Sequence, residues 1–164
     1  TFDGVPATGT PVSDADIASA QRLWRLLIAA DAVGVASRAL AMAVDWAGQR
    51  EQFGRAIGSF QAVSHRCADM LVDAESARNQ VLSAADACDD DESPDLAVDL
   101  AAAQAVSAAV RNAEACIQVH GGIGFTWEHP AHLLLRRAIA DEAACARTEH
   151  LRDTAAARIF ELSR

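Results

Sequence analysis

Apolar residues recur at a helical period over most of the chain, and the first predicted helix shows this most clearly. Its apolar positions follow one another near every 3.6 residues: Ile17, Trp24, Leu27, Val33, Leu40 and Val44. Ser13 and Asp16 have the spacing of a capping box, in which each side chain accepts a backbone N–H at the helix start. We therefore expect a long helix from Ser13 to about Ala47.

The second and third predicted helices are bounded by capping signals. Ser59 is a suitable N-cap for a helix from about Phe60 to Ala87. Ser93 followed by a proline predicts the start of a helix that runs to about Val119. The glycine pair at 121–122 ends this helix, because glycine accepts the left-handed conformation that follows many helices.

The rest of the chain predicts a short helix near Thr126 or Glu128 and a final helix over about 141–162. The first dozen residues, TFDGVPATGTPV, are rich in proline and glycine and predict a strand end and a linker. No strand pattern follows them. Long helices with short connections predict an all-α, antiparallel up-down four-helix bundle with a short extra helix.

Charge and composition narrow the function classes. The net charge of −9 argues against a general electrostatic interaction with nucleic acid, and the acidic run at 89–93 predicts a solvated loop. We see no signal peptide and no uninterrupted apolar run of ~18 residues, so we expect no membrane span. The histidines His129 and His132 lack further ligands nearby in sequence, so we expect no metal site.

The cysteines are widely spaced, lie in helix-like contexts and form no C-x-x-C pair. They are Cys67, Cys88, Cys116 and Cys145. This pattern predicts buried free thiols in a reducing compartment, and therefore a cytoplasmic location.

Two connections are unusual for a bundle that only has to fold. The first contains Arg50 and Phe53, with the aromatic residue between polar side chains and a glycine. The second contains Gln118 and the glycines at 121–122, which follow a helix and so do not form a dinucleotide-binding fingerprint. Up-down topology can place both at one end of the bundle. Either they are ordinary connections with Phe53 packed on the bundle, or they hold a ligand bearing phosphates and a ring.

The stretches REQFGRAIGSFQAVSHRCADM and QVHGGIGFTWEHPAHLLLRRA resemble the C-terminal domain of the flavin-dependent acyl-CoA dehydrogenases. The resemblance covers essentially the whole chain and is closest in texture to actinobacterial members, among them heteromeric enzymes acting on steroid-derived acyl-CoAs. It implies that residues 1–12 end a preceding β-domain and form a linker. Residues 13–164 would be the C-terminal bundle, with the N-terminal helical and middle β-domains absent from this chain.

The same resemblance implies FAD as the cofactor. Arg50 would meet the pyrophosphate of the FAD held by a partner subunit, and Phe53 would lie against the adenosine side. Gln61 would lie near the same cofactor. Gln118 and the backbone N–H groups of Gly121 and Gly122 would contact the dinucleotide.

The reaction implied is α,β-dehydrogenation of an acyl-CoA, in which a carboxylate removes the α-proton while hydride passes to flavin. By this resemblance, Cys145 occupies the position of the family's usual catalytic glutamate. Trp24 occupies the alternative position on the first helix. Neither side chain is a carboxylate base. Glu142 and Glu149 would qualify only if the alignment slips by a few residues, so no catalytic residue is assigned.

Three interpretations remain open. The chain belongs to a subunit whose partner supplies the base, to an ordinary homotetrameric dehydrogenase with an unplaced base, or to a non-catalytic flavin-binding or interaction module. The resemblance implies acyl-CoA as substrate, electron-transfer flavoprotein as electron acceptor, and a homo- or hetero-oligomer built as a dimer of dimers. It implies a role in fatty acid or steroid catabolism. A chain of this extent is expected to be inactive alone.

Overall fold

The computed structural model describes residues 12–90, 94–145 and 148–162. Its helices are α1 (Asp14–Gln49), α2 (Gln61–Asp90), α3 (Pro94–His120), α4 (Ala131–Cys145) and α5 (Thr148–Leu162). The predicted all-α bundle is confirmed. A feature that the sequence pattern did not predict is a small hairpin between α1 and α2, formed by β1 (Glu51–Gln52) and β2 (Arg55–Ala56).

The capping box at the start of α1 is present as predicted. The Asp16 backbone N–H donates to Ser13 Oγ at 3.1 Å, and the Ser13 backbone N–H donates to the Asp16 carboxylate at 3.3 Å. Two acidic residues in the first turn, Asp14 and Asp16, also face the positive end of the helix dipole. α1 ends at Gln49, slightly beyond the predicted Ala47.

α1 and α3 run parallel and side by side. Three contacts between them join residues 73 to 76 positions apart in sequence: Arg22 with Asp95, Arg25 with Asp99, and Asn112 with the Ala36 carbonyl. The facing surfaces are lined by fully buried small residues: Ala29, Ala32, Ala36, Ala39 and Ala43 on α1, and Ala102, Ala105, Ala108 and Ala109 on α3. Because alanine side chains are only methyl groups, the two helix backbones can pack close together.

Asn112 connects three helices from inside the bundle. Its side-chain amide is 1% exposed and donates to the Met70 carbonyl of α2 at 2.9 Å and to the Ala36 carbonyl of α1 at 3.3 Å. Next to it, Arg111 of α3 makes a two-bond contact with the Asp73 carboxylate of α2. α2 thus runs antiparallel to α3 and covers the seam formed by α1 and α3.

A buried charge cluster ties the starts of α1 and α3 to α5. Asp99 is fully buried, and its carboxylate accepts a hydrogen bond from Arg25 at 2.8 Å. Burial raises the pKa of Asp99, and the guanidinium groups of Arg25 and Arg158 partly offset that rise. Arg158 also donates to Asp95 at 3.1 Å.

The predicted N-cap of α2 and the predicted starts of the short helix and of the final helix were wrong, and the short helix, α4, begins at Ala131 and not near Thr126 or Glu128. Ser59 does not cap α2, because its hydroxyl donates back to the Ala56 carbonyl and a 3₁₀ turn over Ile57–Ser59 precedes the helix. The final helix does not begin at Asp141. That residue lies buried in α4, on the same face as Ala138 and Cys145, so α4 is longer than predicted and α5 begins at Thr148.

The predicted cap Ser93 and most of the predicted N-terminal strand and linker lie outside the described residues, as does the end of the acidic run. The described cysteines are all free. Cys116 and Cys145 are buried as predicted, whereas Cys67 and Cys88 are only partly buried.

α1 is long and apolar enough to satisfy a length-and-composition test for a membrane span, with a mean hydropathy of 1.7 in its most apolar window. The core helix of a globular bundle passes the same test. Here part of the apolar surface of α1 packs against α3, whereas Leu23, Trp24 and Leu27 of the same helix are each more than half exposed.

We expect Asn112→Ala to lower the free energy of unfolding by about 1–3 kcal/mol, because it removes a buried cross-link and leaves a small cavity. Chemical denaturation of the folded protein measures the change. The matched control is Asn79→Ala, at an exposed position of α2, which should change stability by no more than about 0.5 kcal/mol. Equal stabilities of the two variants would contradict a bridging role for Asn112.

Candidate functional site

The hairpin after α1 presents Phe53 to the outside. Glu51 pairs with Ala56 and Gln52 with Arg55, so Phe53 and Gly54 form its two-residue turn. Both turn residues have positive φ, 55° at Phe53 and 76° at Gly54. This is the conformation of a type I′ turn, whose first position favours asparagine, aspartate or glycine.

Phe53 is an unfavourable residue for that backbone and is 92% exposed. A side chain with a Cβ is strained in the left-handed region, by roughly 1 kcal/mol. The ring of Phe53 meets the Phe60 ring edge-on, with centroids 6.1 Å apart, and the Arg55 guanidinium lies 4.0 Å over Phe60. The interpretation that Phe53 packs on the bundle was therefore wrong.

The three glycines of the second connection have three different surroundings. Gly121 has φ of 64° and ends α3 in the left-handed conformation, as predicted. Gly124 is buried, and a Cβ there would lie 2.7 Å from the Ile117 carbonyl oxygen, so this glycine serves packing. Gly122 has neither constraint: a Cβ there would meet nothing within 4 Å. Of the three, Gly122 is the one that the chain's own fold does not explain.

An aromatic stack joins the two connections at one end of the bundle. It consists of Trp46 from the last turn of α1, His120 at the end of α3, and His129 just before α4. The Trp46 and His120 rings lie 5.2 Å apart and the His120 and His129 rings 4.2 Å apart, measured between centroids. The predicted juxtaposition of the two loops is thereby confirmed, through residues that the sequence argument did not single out.

A groove of about 570 Å³ runs between α2 and α3 from this end of the bundle. Gln118 lines it together with Ala62 and His65 of the first turns of α2, so the groove begins beside Gln61. The remaining predicted binding residues are accessible: Arg50, Gln61, Gln118 and Gly122 are exposed, and Gly121 is half-buried. Among the described residues, no group of His, Cys, Asp and Glu is arranged to hold a metal ion.

The C-terminal domain model of acyl-CoA dehydrogenases matches residues 17–160. The chain belongs to the acyl-CoA dehydrogenase family. It corresponds to that family's C-terminal domain, as the two loop motifs indicate. Acyl-CoA dehydrogenase FadE34 of Mycobacterium tuberculosis is 47% identical over 135 residues, which are 80% of this chain and 19% of that protein.

Solved structures agree in fold. Butyryl-CoA dehydrogenase of Megasphaera elsdenii is 31% identical with a TM-score of 0.80, over 83% of this chain and 36% of that one. A chain of the ChsE4–ChsE5 complex of Mycobacterium tuberculosis is 32% identical with a TM-score of 0.86, over 91% of this chain and 41% of that one. The chain thus spans about a fifth to two fifths of the length of these acyl-CoA dehydrogenases.

Trp24 and Cys145, the two positions at which the resemblance predicts a catalytic base, lie close to each other. The Trp24 indole N–H donates to the Ala144 carbonyl at 3.0 Å, one residue before Cys145. Trp24 is about half exposed, whereas Cys145 is 2% exposed. Burial raises the pKa of the Cys145 thiol to about 11, so a thiolate base is not present near neutral pH.

The carboxylates considered as substitutes do not fill this position. Glu142 and Glu149 line a cavity of about 580 Å³ whose other walls come from α3, α4 and α5, and to which α1 contributes no lining residue. Glu142 also accepts a hydrogen bond from the Thr148 hydroxyl at 2.9 Å. Trp24 belongs to α1, so these glutamates open on a different part of the bundle.

A third acid, Asp141, lies one helical turn before Cys145 but is buried. Its Oδ1 is 3.1 Å from Arg137 Nε, which also donates to Asp31 at 2.7 Å. Burial and the adjacent Asp31 carboxyl raise the pKa of Asp141 to about 6, and Arg137 opposes that rise. With 2% of its surface exposed, Asp141 is not accessible to a substrate in this fold.

The small residues Ala30, Gly34 and Ser37 of α1 lie on an exposed face. A Cβ at Gly34 would meet nothing within 4 Å, so this position does not pack closely against another described helix of the chain. Leu27 continues this face toward Trp24 and is 57% exposed.

Because the folded state raises the pKa of Asp141, it favours the protonated acid, and that stabilisation is lost as pH rises from about 4 through about 6. We therefore expect the stability of Asp141→Asn relative to the unmodified protein to increase by about 1–3 kcal/mol between pH 4.5 and pH 7. Denaturant unfolding at both pH values measures this difference. Asp153→Asn, at an exposed site on α5, should show no such trend. A parallel pH dependence of all three proteins would refute the assignment.

Proposed function

We propose that this chain is the FAD-contacting and oligomerisation domain of an acyl-CoA dehydrogenase subunit that lacks its own catalytic base. The whole enzyme would catalyse α,β-dehydrogenation of an acyl-CoA with hydride transfer to FAD. The observation that carries the proposal is the Phe53 turn, in which a strained, exposed aromatic ring stands at the same end of the bundle as the Gly121–Gly122 turn. Strain of this kind persists where function requires it.

The residues present fit a dinucleotide. Arg50 ends α1 as an exposed cation beside the hairpin, and its backbone carbonyl accepts the Ile57 N–H at 2.8 Å, which fixes the hairpin on the helix end. In the proposal Arg50 binds the pyrophosphate and Phe53 lies against the adenosine side. Gln61 and Gln118, on either side of the start of the α2–α3 groove, complete the polar contacts. When bound, FAD supplies the hydride acceptor.

Gly122 supports the same assignment. Since neither its φ nor its internal surroundings require glycine, its missing side chain leaves space on the outer side of the turn. A phosphate-bearing ligand can approach a backbone N–H most closely at such a position. The adjacent Gly121, in the left-handed conformation, sets the direction of the turn.

The arrangement around Trp24 and Cys145 supports a subunit without a base of its own. The Trp24 indole N–H is bonded to the carbonyl of Ala144, and the buried thiol of Cys145 belongs to the next residue, so neither position presents a base. A partner subunit would then supply the proton-abstracting carboxylate. The similarity to a chain of the ChsE4–ChsE5 complex makes a heteromeric assembly the favoured form.

The remaining interpretations have less support. An ordinary homotetramer needs a base within each subunit, and the described glutamates Glu142 and Glu149 face a cavity that Trp24 does not line. A non-catalytic flavin-binding module would retain FAD and never turn over. The division into a linker at 1–12 and a bundle at 13–164, electron-transfer flavoprotein as acceptor and a cytoplasmic location are parts of the proposal.

We expect Phe53→Asn in the full-length protein to weaken FAD binding roughly 5- to 150-fold, since ring stacking contributes about 1–3 kcal/mol. Asparagine suits the turn better than phenylalanine, so thermal stability should be unchanged or higher. Flavin retained after gel filtration, measured by absorbance, reports the change. Phe160→Asn removes another exposed phenylalanine, 72% exposed on α5, and serves as the control. Full flavin content in Phe53→Asn would exclude Phe53 from cofactor binding.

The missing base can be tested by restoring it. Under anaerobic conditions, acyl-CoAs should not bleach the flavin absorbance of the FAD-loaded subunit alone. They should bleach the flavin of Trp24→Glu, because position 24 then carries a carboxylate. Trp24→Gln is the matched control of equal size without the charge and should stay oxidised. Bleaching of the unmodified subunit would show that a base is present. Flavin that stays oxidised in Trp24→Glu would show that position 24 is not the position of the base.

A further inference from the structure

The aromatic stack of Trp46, His120 and His129 contains two imidazoles whose proton positions follow from their partners. His120 Nδ1 lies 2.7 Å from the Cys116 carbonyl oxygen. A carbonyl can only accept, so this nitrogen carries a proton. The Ala131 backbone N–H points at His129 Nδ1 at 3.3 Å. An amide can only donate, so this nitrogen is bare.

His129 therefore acts as an N-terminal cap of α4. Its ring nitrogen accepts one of the backbone N–H groups that have no partner within the helix. Its own carbonyl accepts a hydrogen bond from His132 Nδ1 at 2.8 Å. The Gly121–Gly122 turn is thus held between His120, which precedes it, and His129, which fixes the start of the next helix.

Protonation of His129 would disturb this arrangement in two ways. A proton on Nδ1 would face the Ala131 N–H and remove the cap. The positive charge would lie in a ring 4.2 Å from the His120 ring and near His132. The titratable groups acting on His129 are His120 from α3 and His132 from α4, and α1 presents the uncharged Trp46. Neither histidine neighbour would stabilise the charge.

We propose that His129 is a protonation-sensitive positioning residue for the cofactor loops, so that FAD is held tightly when His129 is neutral and released faster when it is protonated. This inference rests on the proposed function and adds regulation to the same site. The backbone carbonyl of Trp46 accepts the Arg50 backbone N–H at 2.8 Å, so the residue whose indole belongs to the stack also anchors the start of the Phe53 hairpin.

The direction of the pH dependence is fixed by the surroundings. Burial, followed by the neighbouring His120 and His132, lowers the pKa of His129 below its usual value. The fold therefore favours the neutral ring. Its contribution to stability is present above about pH 6.5 and is lost as pH falls from there through the lowered pKa.

The test compares the FAD dissociation rate of the FAD-loaded, full-length protein at pH 7.5 and pH 5.5 with that of His129→Asn. Asparagine can still cap α4 through its side-chain oxygen but does not titrate. In the unmodified protein we expect FAD to dissociate about fivefold faster at pH 5.5 than at pH 7.5, which corresponds to the loss of one cap interaction. In His129→Asn the acceleration should be absent. His150→Asn, an exposed histidine of α5, should behave like the unmodified protein.

A second measurement separates this inference from the proposed function. Amide hydrogen exchange over residues 121–131 is measured without flavin and corrected for intrinsic rates. In the unmodified protein, protection should be lower at pH 5.5 than at pH 7.5. In His129→Asn, protection should be the same at both pH values. Failure to bind FAD at all would overturn the proposed function, while the exchange data would still test the stack. Equal pH dependence of FAD release and of exchange in the unmodified protein and His129→Asn would overturn the inference.

Discussion

The close, parallel packing of α1 on α3 is the constraint on which the rest of this structure depends. Alanines on both helices allow the contact, and the Arg25–Asp99 pair at one end and the Trp46–His120 contact at the other fix the register. Because the two helices run in the same direction, their C-terminal ends lie together. The hairpin that follows α1 and the glycine turn that follows α3 therefore lie at the same end of the bundle.

Most of the helices could be predicted from the sequence, because the residues that start and end a helix lie within a few positions of its ends. The Ser13–Asp16 capping box, the proline at the start of α3 and the left-handed Gly121 are each decided within a few residues. Ser59 failed as a cap because a hairpin and a 3₁₀ turn, too short to leave a periodic pattern, occupy the approach to α2. The boundary between α4 and α5 failed because Asp141 resembles a helix start in sequence, while tertiary contacts bury it inside α4.

The candidate site shows a similar division. Motif resemblance pointed to Arg50, Phe53 and the glycine pair, but the supporting contacts were not visible in it. Trp46 and His120 lie far apart in sequence and belong to different helices, so only the register of α1 against α3 could bring them together. The presence of histidines on both sides of the Gly121–Gly122 turn was the one available signal. The contact of Trp24 with Ala144 likewise depends on how α4 packs against α1.

The parallel seam also limits how this domain can change in length. The same number of residues separates Arg25 from Trp46 on α1 as separates Asp99 from His120 on α3. A single inserted residue in one helix would advance its end by about 1.5 Å and rotate it by about 100°, which would separate the hairpin from the glycine turn. Insertions and deletions in this stretch of α1 would survive only with a matching change in α3. Length variation among descendants of this chain should accordingly be concentrated outside these two segments.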